Sequence, residues 1–339
     1  MTLPLRYLSV CSGIESATVA WQPFEWQAVA FSEIEPYPCA LLKHHYPDVP
    51  NWGDMTKFKE WPDANVDLLV GGTPCQSFSV AGLRGGLDDP RGNLMLTYLA
   101  IAGRYRPKWL VWENVPGVLS SNSGKDFGSF LGGLAELGYG FAYRVLDAQY
   151  YGVAQRRRRV FVVGCLGDWR RAAAVLFERH SLSGHPAPSR EARESAAPPI
   201  APSLRGQSQA SHRLDTAPTL VSNGDAHSEF RDEHGLVYGN CLNPDQPQCW
   251  RVYDPEGLAP SLQSGEARGN AINIGMAVRR LTPVECERLQ GFPDGYTNVP
   301  FRGKPVTDGH RYKALGNSKA VPVVRWIGER IAAVERIST

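Results

Sequence analysis

Five short runs rich in β-branched and aromatic residues recur through the first half of the chain: "RYLSVCS", "WQAVAFSE", "VDLLVGGTP", "PKWLVWENV" and "RRVFVVGCL". Between the earlier runs lie "SATVAWQPF", "YPCALLKHHYP" and "NLMLTYLAIAGRY", whose apolar residues fall at helical spacing. Strand and helix patterns that alternate in this way predict a doubly wound α/β domain, a mostly parallel sheet covered by helices. Ligands of such sheets sit outside the carboxyl ends of the strands. The residues expected there are Ser12 and Gly13 after the first strand, Glu33 after the second, Pro74 and Cys75 after a third, and Glu113 and Asn114 after a fourth.

The second half changes texture. From about residue 175, Pro, Ser, Gly and Ala take over and helical periodicity fades, until it returns near "AVRRLTPVECERLQGF". A weak repeat, "IAPSLRG", "TAPTLVSN" and "LAPSLQSG", suits short strands with turns, and disorder is the competing reading for residues 183 to 215. Thr282, Pro283 and Glu285 form a helix start. With 339 residues, 42% hydrophobic and 21% charged, the chain is long enough for one large domain and a smaller one.

Composition also narrows the function. The first residues carry no charged segment followed by a long apolar stretch, and no run is long enough to span a bilayer, so no membrane partner and a cytoplasmic location are expected. Seven cysteines, an odd number without repeated Cys-x-x-Cys spacing, argue against a disulfide framework and a zinc site; Cys241, Cys249 and His234 match no standard ligand pattern. No metal is expected. Formal net charge is only +2, but "QRRRRVFVVG" concentrates Arg156 to Arg159 before a strand. Arginine's planar fork suits phosphates and base edges, although two of the four fit a solvated strand start equally well.

At the rim, Ser12 and Gly13 read as a tight turn into a helix. Glu33 follows at the spacing where an acidic residue meets ribose hydroxyls. Glu15 and Ser16 stand where further glycines would admit a pyrophosphate, so a nucleoside-bearing ligand without phosphates fits better than a dinucleotide. Asp54 is placed to accept from an exocyclic amine or to cap a helix. Cys75 sits behind Pro74 within "GGTPCQSFSVAG", either as an inert core thiol or as a nucleophile. Glu113 on a neighbouring strand end favours the nucleophile, because burial there favours a carboxyl form that donates a hydrogen bond to a ring nitrogen. A cysteine hydrolase would want a histidine partner, and none falls on a predicted strand end.

"GGTPCQSFSVAG", "WENVPGVL", "QRRRRVFVVG", "RRLTPVECERLQGFPD" and "YKALGNS", in this order, resemble the motif series of the cytosine-5 DNA methyltransferases of bacteria and phages. The resemblance implies a Rossmann-like S-adenosylmethionine-dependent methyltransferase fold with a smaller, mainly β or irregular target-recognition domain. Residues 1–174 would form the main catalytic part, 175–278 the target-recognition domain and 279–339 a return segment that completes the catalytic domain. Cys75 would attack carbon 6 of a flipped-out cytosine. Glu113 would engage ring nitrogen 3, with Arg157 and Arg159 at the ring oxygen and nearby backbone, and Pro74 and Asn114 beside them. The donor S-adenosyl-L-methionine, which leaves as S-adenosyl-L-homocysteine, would touch Ser12, Gly13, Ile14, Glu33, Ile34, Asp54, Met55, Gly72, Leu94, Asn317 and Ser318. Residues 77 to 93, with Arg84 and Arg91, resemble the family's closing loop.

Some positions depart from the family. Cys11 and Ile34 stand where many members carry aromatic residues, and Lys319 follows "GNS". Lys319 reads as a surface residue, or alternatively as a charge near the donor's carboxylate. In the insert, Arg205, Gln207, Arg213, Asn223, Arg251, Gln263 and Arg268 are candidate readers of bases or phosphates. The implied partner is double-stranded DNA, met by a monomer, with a cognate restriction enzyme left open. Methylation of transfer RNA and a catalytically silent DNA-binding relative are the rival functions.

Overall fold

A computed structural model describes residues 4–74, 94–177, 252–253, 271–274 and 277–337. Its main sheet holds β1 (Arg6–Val10), β2 (Gln27–Ser32), β3 (Leu68–Gly71), β4 (Trp109–Asn114), β5 (Tyr139–Asp147) and β6 (Arg158–Leu166) in the order β2-β1-β3-β4-β6-β5. Pairs β1·β2, β1·β3 and β3·β4 are parallel, whereas β6 runs antiparallel to both β4 and β5. All five predicted strands are present, and β5 is an addition to them.

Strand alternation divides the core into two layers. Tyr7, Leu68, Val70, Trp109, Val111, Phe161 and Val163 face one way, toward α1 (Ser16–Trp21), α2 (Pro36–His45) and the C-terminal helices. Leu8, Val10, Leu69, Leu110, Trp112, Val160 and Val162 face the other, toward α3 (Leu94–Tyr105) and α4 (Lys125–Glu136). Every one of these residues is buried on both faces of the sheet, which is why the strands read as continuous apolar runs.

Beyond β6, α5 (Trp169–Leu176) runs past the boundary expected at residue 174 because Val175 and Leu176 are still core residues. A three-stranded sheet, β7 (Val252–Tyr253), β8 (Ala271–Ile274) and β9 (Ala277–Arg280), follows, and β9 straddles the boundary expected at 278. The expected repeat, the cysteine–histidine group and the candidate readers of the insert lie outside the described residues.

The chain then closes on its beginning through α6 (Pro283–Gln290), α7 (Asp308–Asn317) and α8 (Val321–Ile337). Helix α6 starts with the capping box expected from the sequence: Glu285 N–H donates to Thr282 Oγ1 at 3.3 Å and Thr282 N–H to Glu285 Oε2 at 2.7 Å. Buried Glu287 accepts from the backbone N–H groups of Gly295 and Thr297 and pairs with Arg311 on α7 at 3.1 Å. Helix α8 lies against α1, with Trp21 Nε1–H donating to the carbonyl of Val324 at 3.0 Å. A side chain at Gly328 would collide with the Trp21 ring, whose Cδ1 lies 2.5 Å from a Cβ built there.

Candidate active site

A cavity of about 980 Å³ opens at the carboxyl ends of β1 to β4. Gly13, Glu33, Ile34, Asp54, Met55, Gly72, Pro74, Leu94, Glu113, Asn114, Arg157, Arg159 and Asn317 all line it. These residues come from both ends of the sequence and were expected at one site; the fold brings them together. Cys75, next to Pro74 on the rim, and residues 77 to 93 lie outside the described residues.

One end is built from the loops after β1 and β2. Cys11, Gly13 and Glu15 all have positive φ (47°, 58° and 61°), so the chain turns sharply on leaving β1. That turn presents the Gly13 N–H to Glu33 Oε2 at 2.7 Å, while Glu33 Oε1 accepts from the N–H groups of Ile34 and Glu35, each at 2.8 Å. Three backbone donors fix the carboxylate. Each oxygen accepts about two hydrogen bonds, so Oε2 retains a free acceptor site for a ligand hydroxyl. Asp54 spends Oδ1 on Thr56 N–H and Thr56 Oγ1, at 2.9 and 2.8 Å, capping the short 3-10 helix Met55–Glu60; its Oδ2 has no hydrogen-bond partner among the described residues. The helix-cap reading of Asp54 thus holds for one oxygen and leaves the other available.

The wall between these carboxylates is sulfur rather than aromatic carbon. Cys11 Sγ approaches Met55 Sδ at 3.3 Å, and burial together with the Glu33 charge pushes the Cys11 thiol up to about 12. Ile34, 66% exposed, offers an apolar face to the cavity.

Three expected contact residues do not line the cavity. Ser12 Oγ is turned inward to the Ser9 carbonyl at 2.9 Å and accepts from Ser32 N–H. Ile14 is fully buried in the core, with its carbonyl accepting from Tyr296 OH. Ser318 Oγ is held by the Leu315 carbonyl at 2.9 Å. Each shapes the backbone beneath the cavity, and the sequence positions alone did not reveal which way the side chains turn.

The other end is built by β3, β4 and β6. Glu113 Oε1 lies 3.1 Å from Arg159 Nε, an ion pair across the β4·β6 pairing. Both side chains are largely buried, which makes the pair strong in direction and costly to break from one side. Arg157 is 2% exposed and donates through Nη2 to the carbonyls of Gly316 and Ser318, at 3.0 and 2.7 Å. It thereby fastens the C-terminal end of α7 to the start of β6. Burial and the adjacent Arg159 charge press its guanidinium down to about 9, which still leaves it charged at neutral pH. Nε and Nη1 of Arg157 have no hydrogen-bond partner among the described residues, and neither has either amide atom of the fully buried Gln155. Unpaired buried donors beside a cavity suit a polar ring whose acceptors complete them.

Asn114 positions the residues before Cys75. Its Nδ2 donates to the Thr73 carbonyl at 2.9 Å, and its Oδ1 accepts from Val115 N–H; Trp112 Nε1–H holds Thr73 Oγ1 at 3.1 Å. A side chain at Gly72 would press on Glu113: a Cβ there would lie 2.7 Å from Glu113 Oε2 and 3.3 Å from Lys319 Cε, so one of these side-chain ends would have to shift. Lys319 is therefore not the surface residue that its neighbours suggested. It is 7% exposed, packed beside Gly72, because the turn after α7 directs it into the molecule.

The sequence reading passed over Gln155, Thr73 and the outer lining of the cavity by Tyr37, Phe301, Arg302, His310 and Lys313. Gln155 adjoins the arginine run and was within reach of the same motif; the outer residues come from separate loops and carry no shared signal. Among the described residues no group of three or more His, Cys, Asp or Glu could hold a metal ion, and no helix is long and apolar enough to cross a membrane.

A DNA N-6-adenine-methyltransferase of Escherichia phage P1 is 36% identical over 96% of this chain, which spans 61% of that relative's length. The type II methyltransferase M2.BsuMI of Bacillus subtilis is 28% identical over 97% of this chain and 75% of the relative, and M.HpaII of Haemophilus parainfluenzae is 27% identical over 96% and 88%. The crystal structure of the S. pombe Dnmt2 methyltransferase superposes with a TM-score of 0.66 at 17% identity, covering 99% of this chain and all of that one, so the two chains share a fold. The model of the C-5 cytosine-specific DNA methylase family matches residues 5–333, and the chain belongs to that family.

Proposed function

We propose that this chain transfers the methyl group of S-adenosyl-L-methionine to carbon 5 of a cytosine flipped out of a short, specific duplex DNA site, and that Cys75 forms a transient bond to the base. The observation that supports this reading is one cavity lined by the Glu113–Arg159 pair, the Glu33 carboxylate and Pro74, the residue before Cys75 in the sequence.

Carbon 5 of cytosine is a weak nucleophile and needs activation. The Cys75 thiolate adds to carbon 6, and the electron pair of the 5,6 double bond moves to carbon 5. Glu113 engages ring nitrogen 3 and the amino group and balances the charge that develops in the ring. Arg159 holds the Glu113 carboxyl in place, and the free Nε–H and Nη1–H of Arg157 suit the ring oxygen. The bound donor supplies an electrophilic methyl group. A base then takes the carbon-5 proton, the double bond re-forms and sulfur leaves as thiolate.

The donor fits the remaining half of the cavity. The free acceptor site of Glu33 Oε2 suits a ribose hydroxyl, Asp54 Oδ2 suits the adenine amine, and Cys11, Ile34 and Met55 supply the apolar wall. The segment between α5 and α6 serves as the target-recognition domain of a monomer, and the chain on either side of it forms its catalytic domain.

The name of the phage P1 relative, a DNA N-6-adenine-methyltransferase, supports a second reading, methylation of adenine at its amino nitrogen. An exocyclic amine needs no thiol adduct, so the Cys75 position would then be idle. Purified protein incubated with labelled S-adenosylmethionine and either duplex DNA or transfer RNA, followed by digestion to nucleosides, separates the readings. Label in 5-methylcytosine from DNA is expected. Label in N6-methyladenine, in RNA alone or in neither polymer would overturn the proposal.

A further inference from the structure

Glu33 and Asp54 stand on different loops at one end of the cavity, and an exposed side chain, Asn51, ties those loops together. At the end of β2, residues 50–52 run alongside as a parallel partner. Phe31 N–H donates to the carbonyl of Pro50 at 2.9 Å, and Trp52 N–H to the carbonyl of Phe31 at 2.7 Å. A regular parallel ladder would continue from Glu33 to the carbonyl of Trp52 and the N–H of Asp54. It does not. Gly53 turns off at a φ of 73°, and the Trp52 carbonyl accepts from Trp61 Nε1–H at 3.1 Å instead.

The amide of Asn51 takes the place of that rung. Its Oδ1 accepts from Glu33 N–H at 3.0 Å and its Nδ2 donates to the Glu33 carbonyl at 3.0 Å, so both backbone polar groups of Glu33 bond to the same side chain. The same Oδ1 accepts from Gly53 N–H at 3.1 Å, and Nδ2 also donates to Cys39 Sγ on α2 at 3.3 Å. Two lone pairs and two N–H groups are all spent. Aspartate has the shape without the donors, and glutamine has the amide on a chain one methylene longer; neither repeats the set.

From this arrangement we infer that Asn51 is a positioning residue for the methyl donor, setting the distance between the Glu33 carboxylate and the Asp54 side chain that the nucleoside has to span. The inference rests on the reading of the cavity as a donor site. Asn51 does not itself line the cavity, whereas Glu33, Gly53 and Asp54 all do. Three backbone N–H groups fix how the Glu33 carboxylate is turned. Its distance from Asp54 is left to Asn51 and to Ser32, whose Oγ donates to the Gly53 carbonyl at 2.6 Å.

The test measures binding and rate on the whole chain. Asn51→Ala should weaken S-adenosylhomocysteine about fivefold to tenfold by calorimetry and raise KM for S-adenosylmethionine by a similar factor, with kcat on duplex DNA within about twofold of the wild type. In a Glu33→Gln or an Asp54→Asn background the same substitution should cost less than about threefold, because one of the two contacts it aligns is already gone. Should Asn51→Ala fold poorly, Asn51→Asp, which keeps the shape and removes the donors to the Glu33 carbonyl and Cys39, should show the same rise in KM at constant kcat. Losses that add in full in both backgrounds, unchanged donor affinity, or a fall in kcat with KM constant would overturn the inference and leave Asn51 as a tie that only stiffens its loop. Failure of the wild type to bind S-adenosylhomocysteine would instead overturn the donor-site reading.

Discussion

At one end of the cavity Glu33 is held by three backbone N–H groups from the loops after β1 and β2, whereas at the other end Glu113 is held by a single guanidinium that arrives from β6. The first arrangement is local: its parts lie within a short stretch of sequence, and any side chain whose backbone follows the same turn can supply the N–H groups. The second is assembled at a distance, from Gly72 on the β3 end, Glu113 on β4, Arg157 and Arg159 on β6 and the carbonyls after α7. A site held by backbone tolerates changes in neighbouring side chains. A site held by side chains from separate strands depends on each one.

That contrast sets the order of expected effects. Glu113→Gln keeps the shape but changes the proton inventory of the group facing the base, and turnover should fall about 10³-fold in a methyl-transfer assay while S-adenosylhomocysteine binding is retained. Parallel loss of ligand binding would mean that the two ends are not separable. Gly72→Ala places a Cβ against Glu113 Oε2. Displacement of that carboxylate by a fraction of an ångström should lower turnover about 100-fold, with a smaller change in donor affinity. Turnover equal to the wild type would show that Glu113 has room to shift.

At the backbone-held end the effects shrink. Glu33→Gln replaces one acceptor oxygen with an amide donor that faces an N–H group, and donor affinity measured by calorimetry should fall about tenfold. A complete loss would sharpen the comparison the other way, toward a more central part for this carboxylate. The smallest effect concerns Cys11. Its thiol is raised to about 12, so below that pH it stays protonated and poorly nucleophilic. Iodoacetamide at about pH 8 should leave Cys11 unmodified by peptide mass spectrometry; rapid labelling would show that burial does not protect it.

The same contrast explains what the sequence disclosed. Strands β1 to β4 and β6 were legible because both of their faces are covered, giving unbroken apolar runs. Strand β5 was not, because it is the edge of the sheet: Tyr143 is 45% exposed and Arg144 reaches out to the carbonyl of Leu176, so polar residues interrupt the pattern. The reversed direction of β6 follows from the connection after β5, residues 148–157, which holds only the short 3-10 turn Ala148–Tyr150 and no crossover helix. The rim residues were legible from strand order and motif resemblance, but side-chain direction was not. Ser12, Ile14 and Ser318 turn away from the cavity, and Lys319 turns in, because packing from the far end of the chain decides each case.

The central claim, a bond between the Cys75 sulfur and carbon 6 of cytosine, is tested most directly with duplex DNA in which 5-fluorocytosine replaces every cytosine, incubated with the protein and S-adenosylmethionine. Fluorine at carbon 5 cannot leave as a proton, so the account predicts a denaturation-resistant protein–DNA adduct that maps to Cys75 and is absent from Cys75→Ala. An adduct that persists in Cys75→Ala, or methyl transfer to unmodified DNA by that variant, would contradict it.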